Sequence, residues 1–115
     1  VHHKSLKYAE QLGDDFWCGR NADQISIIYD NFYHRNEALK YAILAHKYIL
    51  KSKQQPFLNY AILELSRAYY NNDNYVKALP LALNAVDSAK TYNDHELYIC
   101  AKGVSADCHY YLGQY

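Results

Sequence analysis

A shift of forty residues lays this chain on itself without a gap, and that period limits the possible folds more than any other feature. Under it Ser26 falls on Ser66, Tyr29 on Tyr69, Asn31 on Asn71, Ala38 on Ala78, Leu39 on Leu79, Ala42 on Ala82 and Ala45 on Ala85. Further along, Ala61 falls on Ala101, Tyr70 on Tyr110 and Tyr75 on Tyr115, while two shifts carry Asp14 to Asp94. One period thus relates two different pairs of units. A unit this small cannot cover its own apolar face, so the copies must stack on one another.

The repeated columns have helical spacing. Trp17, Ile25 and Ile28 lie eight and three residues apart, as do Phe57, Leu65 and Ala68, and Leu97, Ser105 and Cys108. That spacing sets each trio on one helix face. This helix, A, is expected at residues 16–33, 56–72 and 95–112. A second helix, B, carries Ala38, Ala42, Ala45 and Ile49, repeated as Ala78, Ala82, Ala85 and Ala89. Such small side chains let a neighbouring helix approach to the short end of the usual ~8–10 Å. Beside them run Leu39, Ile43, His46 and Leu50, then Leu79, Leu83 and Val86, a second stripe that predicts contacts on two sides. Helix B is expected at residues 36–53 and 74–92, with a preceding copy at 3–13.

Turn chemistry supports these limits. Pro56 suits the first turn of a helix. The run Asn71-Asn72-Asp73-Asn74 makes a turn and can supply an N-cap. Gly13-Asp14-Asp15 can end one helix and cap the next. Pro80, near the second turn of helix B, predicts a later start or a bend. With four Gly and two Pro in the chain, no strands bounded by turn residues are visible. The reading is an all-α domain over residues 1–115, with units at 16–53, 56–92 and 95–115 and a partial unit at 3–13.

Composition narrows the function. Twelve Lys and Arg balance twelve Asp and Glu, so direct binding of nucleic acid is not expected. No stretch approaches the ~18–20 apolar residues of a membrane span. No His pair has the spacing of three or four that helical metal ligands need, so no metal and no cofactor is expected. Cys108 and His109 point about 100° apart on a helix. Cys108 shares a column with Ile28 and Ala68 and reads as core, while Cys100 falls beside the face of helix A. The three Cys form no C-x-x-C. No nucleophile-elbow or phosphate-loop motif occurs, and Asp14-Asp15 and Asp94-His95 read as helix caps, so no catalytic residue is assigned.

The unit Ala22, Ile25, Ser26, Tyr29, Ala38, Ala42, Ala45 resembles the tetratricopeptide repeat, with its W-x2-L-G-x2-Y then A-x3-F signature. So does Ile62, Leu65, Ser66, Tyr69, Ala78, Ala82, Ala85, and more weakly Lys102, Ser105, Ala106, His109. The period exceeds the family's usual ~34 residues. The extra length lies between Ala45 and Ile62, and the terminal Pro is absent from the second unit. Such long units are similar to those of bacterial regulators that couple a helical sensor array to an output domain.

The resemblance implies an α-solenoid of antiparallel helix pairs, a TPR-like superhelix, with helix A lining a concave groove; a generic α-solenoid is the alternative. Carried over, the groove positions are Asp23, Ile27, Asp30 and Asn31, then Leu63, Arg67, Tyr70 and Asn71, then Gly103, Asp107, Tyr110 and Tyr111. The implied partner is a protein or peptide, the implied role an interaction scaffold, and the alternative role a sensor or signal-transmission segment. Arg67 and Asn71, one turn apart, resemble the carboxylate clamp of some members. Asp30 and Asp107 nearby oppose an acidic ligand. In the plainer alternative, Asn31 and Asn71 bridge helices and the tyrosines pack between repeats.

Residues 1–4 show neither a signal-peptide apolar stretch nor an initiating Met. The chain therefore reads as part of a longer one, with its compartment left open between cytoplasm and periplasm. It begins inside a helix B and ends where another is due. The face of the third helix A with Leu97, Ala101, Ser105 and Cys108 is accordingly expected to be partly bare, to be covered by more of the array or by a second copy.

Overall fold

The computed structural model describes residues 2–113. Six α-helices follow one another there: α1 (His2–Leu12), α2 (Asp15–Asn31), α3 (Arg35–Ser52), α4 (Gln55–Asn71), α5 (Tyr75–Tyr92) and α6 (His95–Tyr111). Among the described residues there is no strand, and the class is all-α. The limits of α2, α4 and α6 repeat at forty residues, as do those of α3 and α5. Tyr115, matched to Tyr75 by the sequence period, lies outside the described residues.

The chain reverses on a rhythm of twenty. Gly13, Tyr33, Lys53, Asp73, Asn93 and Gly113 all have positive φ, between 55° and 72°. Each takes the left-handed conformation just past a helix end. After Gly13, Tyr33, Asp73 and Asn93 the chain bonds back in the pattern that satisfies the last free carbonyls: His34 N–H, for example, donates to Tyr29 O at 2.8 Å, and Asn74 N–H to Tyr69 O at 2.9 Å. Three of the following helices are then capped. The side chains of Asp14, Asn74 and Asp94 accept from the backbone N–H of Trp17, Lys77 and Leu97. Before α3 and α4 no side chain caps, and in α4 Pro56 fills the first turn.

Only two of the six left-handed positions hold glycine. Tyr33 is 80% exposed and adopts φ 62°, where its Cβ is crowded. Tyr33→Gly is therefore expected to stabilise the fold by about 0.5–1 kcal/mol. A urea midpoint unchanged or lower than that of the parent would refute the assignment of strain.

Packing follows the columns. Ala38, Ala42, Ala45 and Ile49 are buried, as are Ala78, Ala82, Ala85 and Ala89. Ser26 Oγ donates to Ala38 O, and Ser66 Oγ to Ala78 O, both at 2.7 Å. One small residue thus locks each A–B pair at the same place. Gly19 serves close approach as well, because a Cβ there would lie 2.3 Å from Cγ1 of Ile49. Backbone contacts join every helix to its neighbours in sequence, and also α2 to α4 and α4 to α6.

Several expectations need correction. Helices start or stop within one or two residues of the expected limits. α5 begins at Tyr75 and runs through Pro80, which lies on the exposed side, where solvent can take up the Val76 carbonyl left without a donor. The second stripe of helix B is half open, with Ile43, Leu50 and Leu83 exposed, and α3 and α5 share no backbone contact. Trp17 and Ile28 are also exposed, Trp17 at 56%. Phe57, at the same column as Trp17, lies at the margin under Phe16 and Arg20. The largest correction concerns α6. Leu97, Ala101, Ser105 and Cys108 are all buried, because α5 and α4 already cover that face. The bare face expected there does not exist.

Candidate functional site

Where α2 and α4 lie side by side, they and the start of α3 enclose a cavity of about 280 Å3. Ser26, Ile27, Asp30, Asn31 and Ala38 line one side, and Glu64, Arg67, Ala68 and Asn71 the other. The four-residue steps Ile27–Asn31 and Arg67–Asn71 put these side chains on one face of each helix. Five of the positions carried over from the tetratricopeptide pattern meet here: Ile27, Asp30, Asn31, Arg67 and Asn71.

The polar groups pair across and along this cleft. Asn71 Nδ2 donates to Asp30 Oδ1 at 2.9 Å, bridging α4 to α2. Arg35 Nη1 donates to Asn71 O at 3.3 Å. Arg67 Nη1 meets Glu64 Oε1 at 3.0 Å, a pair one turn apart on α4. Burial nevertheless raises the Glu64 carboxyl above its ordinary range, outweighing Arg67. Arg67 and Asn71, the two donors of the clamp that the resemblance implies, each already meet a carboxylate of the chain itself.

Asp23 lies one turn before Ile27 and is half-buried. Its Oδ1 is buried without a hydrogen-bond partner among the described residues. Burial, then repulsion by Glu64, pushes its carboxyl up to about 6, against a smaller opposing effect of Arg20. Arg20 itself sits over the Phe57 ring, 4.8 Å from the centroid.

At the far end of α4 the tyrosines cluster. Tyr75 and Tyr111 stack with centroids 4.7 Å apart, and Tyr70 lies edge-on to both, at 5.5 and 6.1 Å. Tyr110 meets Tyr111 at 5.4 Å. Tyr110, Tyr111 and Asp107 are exposed. Burial first, then the Asp107 carboxylate and Tyr111, push the Tyr70 hydroxyl up to about 12.

Of the remaining carried-over positions, Gly103 is exposed and open, with no atom near an added Cβ. Leu63 is a correction. It is 2% exposed and belongs to the core beside Leu58, Ile62 and Ala85, so it offers nothing to a ligand. Sequence reasoning also passed over Glu64 and Tyr75. Glu64 stands three residues before Arg67, the spacing of a helical ion pair, and that signal was readable. Tyr75 opens a B helix and reaches the A helices only through the fold.

Among the described residues no three His, Cys, Asp or Glu side chains converge as metal ligands, and no helix is long and apolar enough to cross a membrane. Fold and site together define an all-α chain of six helices with a polar cleft between α2 and α4. No protein-family model matches the chain, and no curated protein matches it.

Proposed function

We propose that the chain is a tetratricopeptide-like α-solenoid that holds a protein or peptide along the face formed by α2, α4 and α6. The observation that carries this reading is the cleft between α2 and α4, where five of the groove positions that the resemblance implies meet. The forty-residue spacing of helix limits and the recurrent serine-to-carbonyl bonds favour stacked equivalent units. The contacts of α2 with α4 and of α4 with α6 favour one continuous face of A helices. The tyrosines at its end have the chemistry of interface anchors, large rings with a polar tip.

The test is selection of peptides on the folded chain from a displayed random library, followed by fluorescence anisotropy. Tyr70→Ala is expected to weaken a selected peptide about tenfold, and Arg67→Ala to change its affinity by at least about threefold in either direction. Lys47→Ala, exposed on α3, is expected to leave affinity unchanged. Selected peptides indifferent to both groove substitutions would place binding elsewhere.

A further inference from the structure

The groove reading leaves the partner's chemistry open, and the charges and rings on that face narrow it. Asp23, Asp30, Glu64 and Asp107 supply four carboxylates there, against Arg20, Arg35 and Arg67. Each cation already has a partner within the chain: Arg67 meets Glu64, Arg20 lies on the Phe57 ring and Arg35 donates to Asn71 O. Asn71, the other donor, is spent on Asp30. The whole chain is formally neutral, so the surplus is a property of this face and not of the molecule.

Two further features point the same way. The Oδ1 of Asp23 is buried and lacks a donor. A carboxylate left so is costly unless a cation or hydrogen-bond donor reaches it. At the other end, Tyr70, Tyr75 and Tyr111 present a cluster of rings with the Asp107 carboxylate close to Tyr70. An aromatic face beside a carboxylate attracts cations through the ring quadrupole and through charge together. Guanidinium fits that combination better than ammonium, because it is planar, stacks on rings and pairs with a carboxylate through two N–H groups.

We infer, on the basis of the groove reading, that the partner is an arginine-bearing cationic segment, lying across Tyr70 and Tyr111 with Asp107 at one end and reaching the carboxylates of the α2–α4 cleft at the other. The segment is polypeptide, since the face extends over three helices and its anions are spread along it.

The test uses the whole chain and three fluorescein-labelled dodecapeptides of alternating Gly–Arg, Gly–Lys and Gly–Glu. Gly–Arg is expected to bind about fivefold more tightly than Gly–Lys, with no measurable binding of Gly–Glu. Tyr111→Ala and Asp107→Asn, both at exposed positions, are each expected to weaken Gly–Arg about threefold to tenfold. Asp87→Asn, an exposed carboxylate on α5, is expected to change nothing. Failure of Gly–Arg to bind would overturn the inference, as would equal loss in all three variants, which marks diffuse attraction. Binding of Gly–Glu that is weakened by Arg67→Ala or Asn71→Ala would also overturn it, yet would keep the groove. Library-selected peptides insensitive to groove substitutions would remove the groove reading and this one together.

Discussion

Leu97→Ala is expected to lower the unfolding free energy by about 3 kcal/mol, within the roughly 2–5 kcal/mol range for deleting a buried leucine. Leu97 is 0% exposed and sits among Ile49, Leu58, Ile62, Val86 and Ala89. Three helices besides its own, α3, α4 and α5, therefore contribute to the cluster it fills. Its backbone N–H is held by Asp94, which anchors the first turn of α6 and limits how far the helix can settle into a void. Ile99, two residues on and 70% exposed, gives the internal contrast: Ile99→Ala is expected to change stability by less than about 0.5 kcal/mol. Urea unfolding of both variants decides the matter. A cost for Leu97→Ala no greater than that for Ile99→Ala would mean that the first turns of α6 are open and its packing is wrong.

Asp23→Asn is expected to act in the opposite direction, raising stability at pH 7.5 by about 2 kcal/mol. Burial and Glu64 raise the Asp23 carboxyl to about 6 in the folded chain, whereas an unfolded aspartate titrates near ~3.9. Between those values the folded state binds the proton that the unfolded state has released. Stability accordingly falls as pH rises through that window, and the charged form is carried at a cost above about 6. A shift of this size corresponds to roughly 3 kcal/mol, and the asparagine amide, itself half-buried, returns part of the gain. Glu64, shifted in the same direction, adds to the slope. The parent chain should therefore gain stability between pH 7.5 and 5, and the Asp23→Asn variant should gain less. Equal pH slopes for the two proteins would show that Asp23 is solvated.

The helices were readable because two signals coincide. Gly13-Asp14-Asp15, Pro56 and Asn71-Asn72-Asp73-Asn74 mark boundaries, and small side chains mark the faces that approach most closely, so the expected limits lie within one or two residues of those observed. A period reveals which residues share a face, but not how much of that face a neighbour covers. Trp17, Phe57 and Leu97 occupy one column, yet their exposure runs from 56% to 0%. The difference lies in what surrounds them. Leu97 is enclosed by α4 and α5, Phe57 meets Phe16 and Arg20, and Trp17 borders the open side of α1 with Tyr8 and Leu12. The same limit explains Leu63, whose groove position rests on family geometry while its apolar side chain turns inward. At the site, the sequence named Arg67, Asn71 and Asp30 but not their mutual commitments, because Asn71 and Asp30 are forty-one residues apart and meet only when α2 and α4 are aligned.

No helix makes a backbone contact with one more than two places along the chain. Such a chain closes only modest loops on its way to the native state, so little entropy is lost before each new contact forms. The outermost helices, each gripped from one side in sequence, should open first and exchange their amide hydrogens soonest, while α3 and α4 hold protection longest.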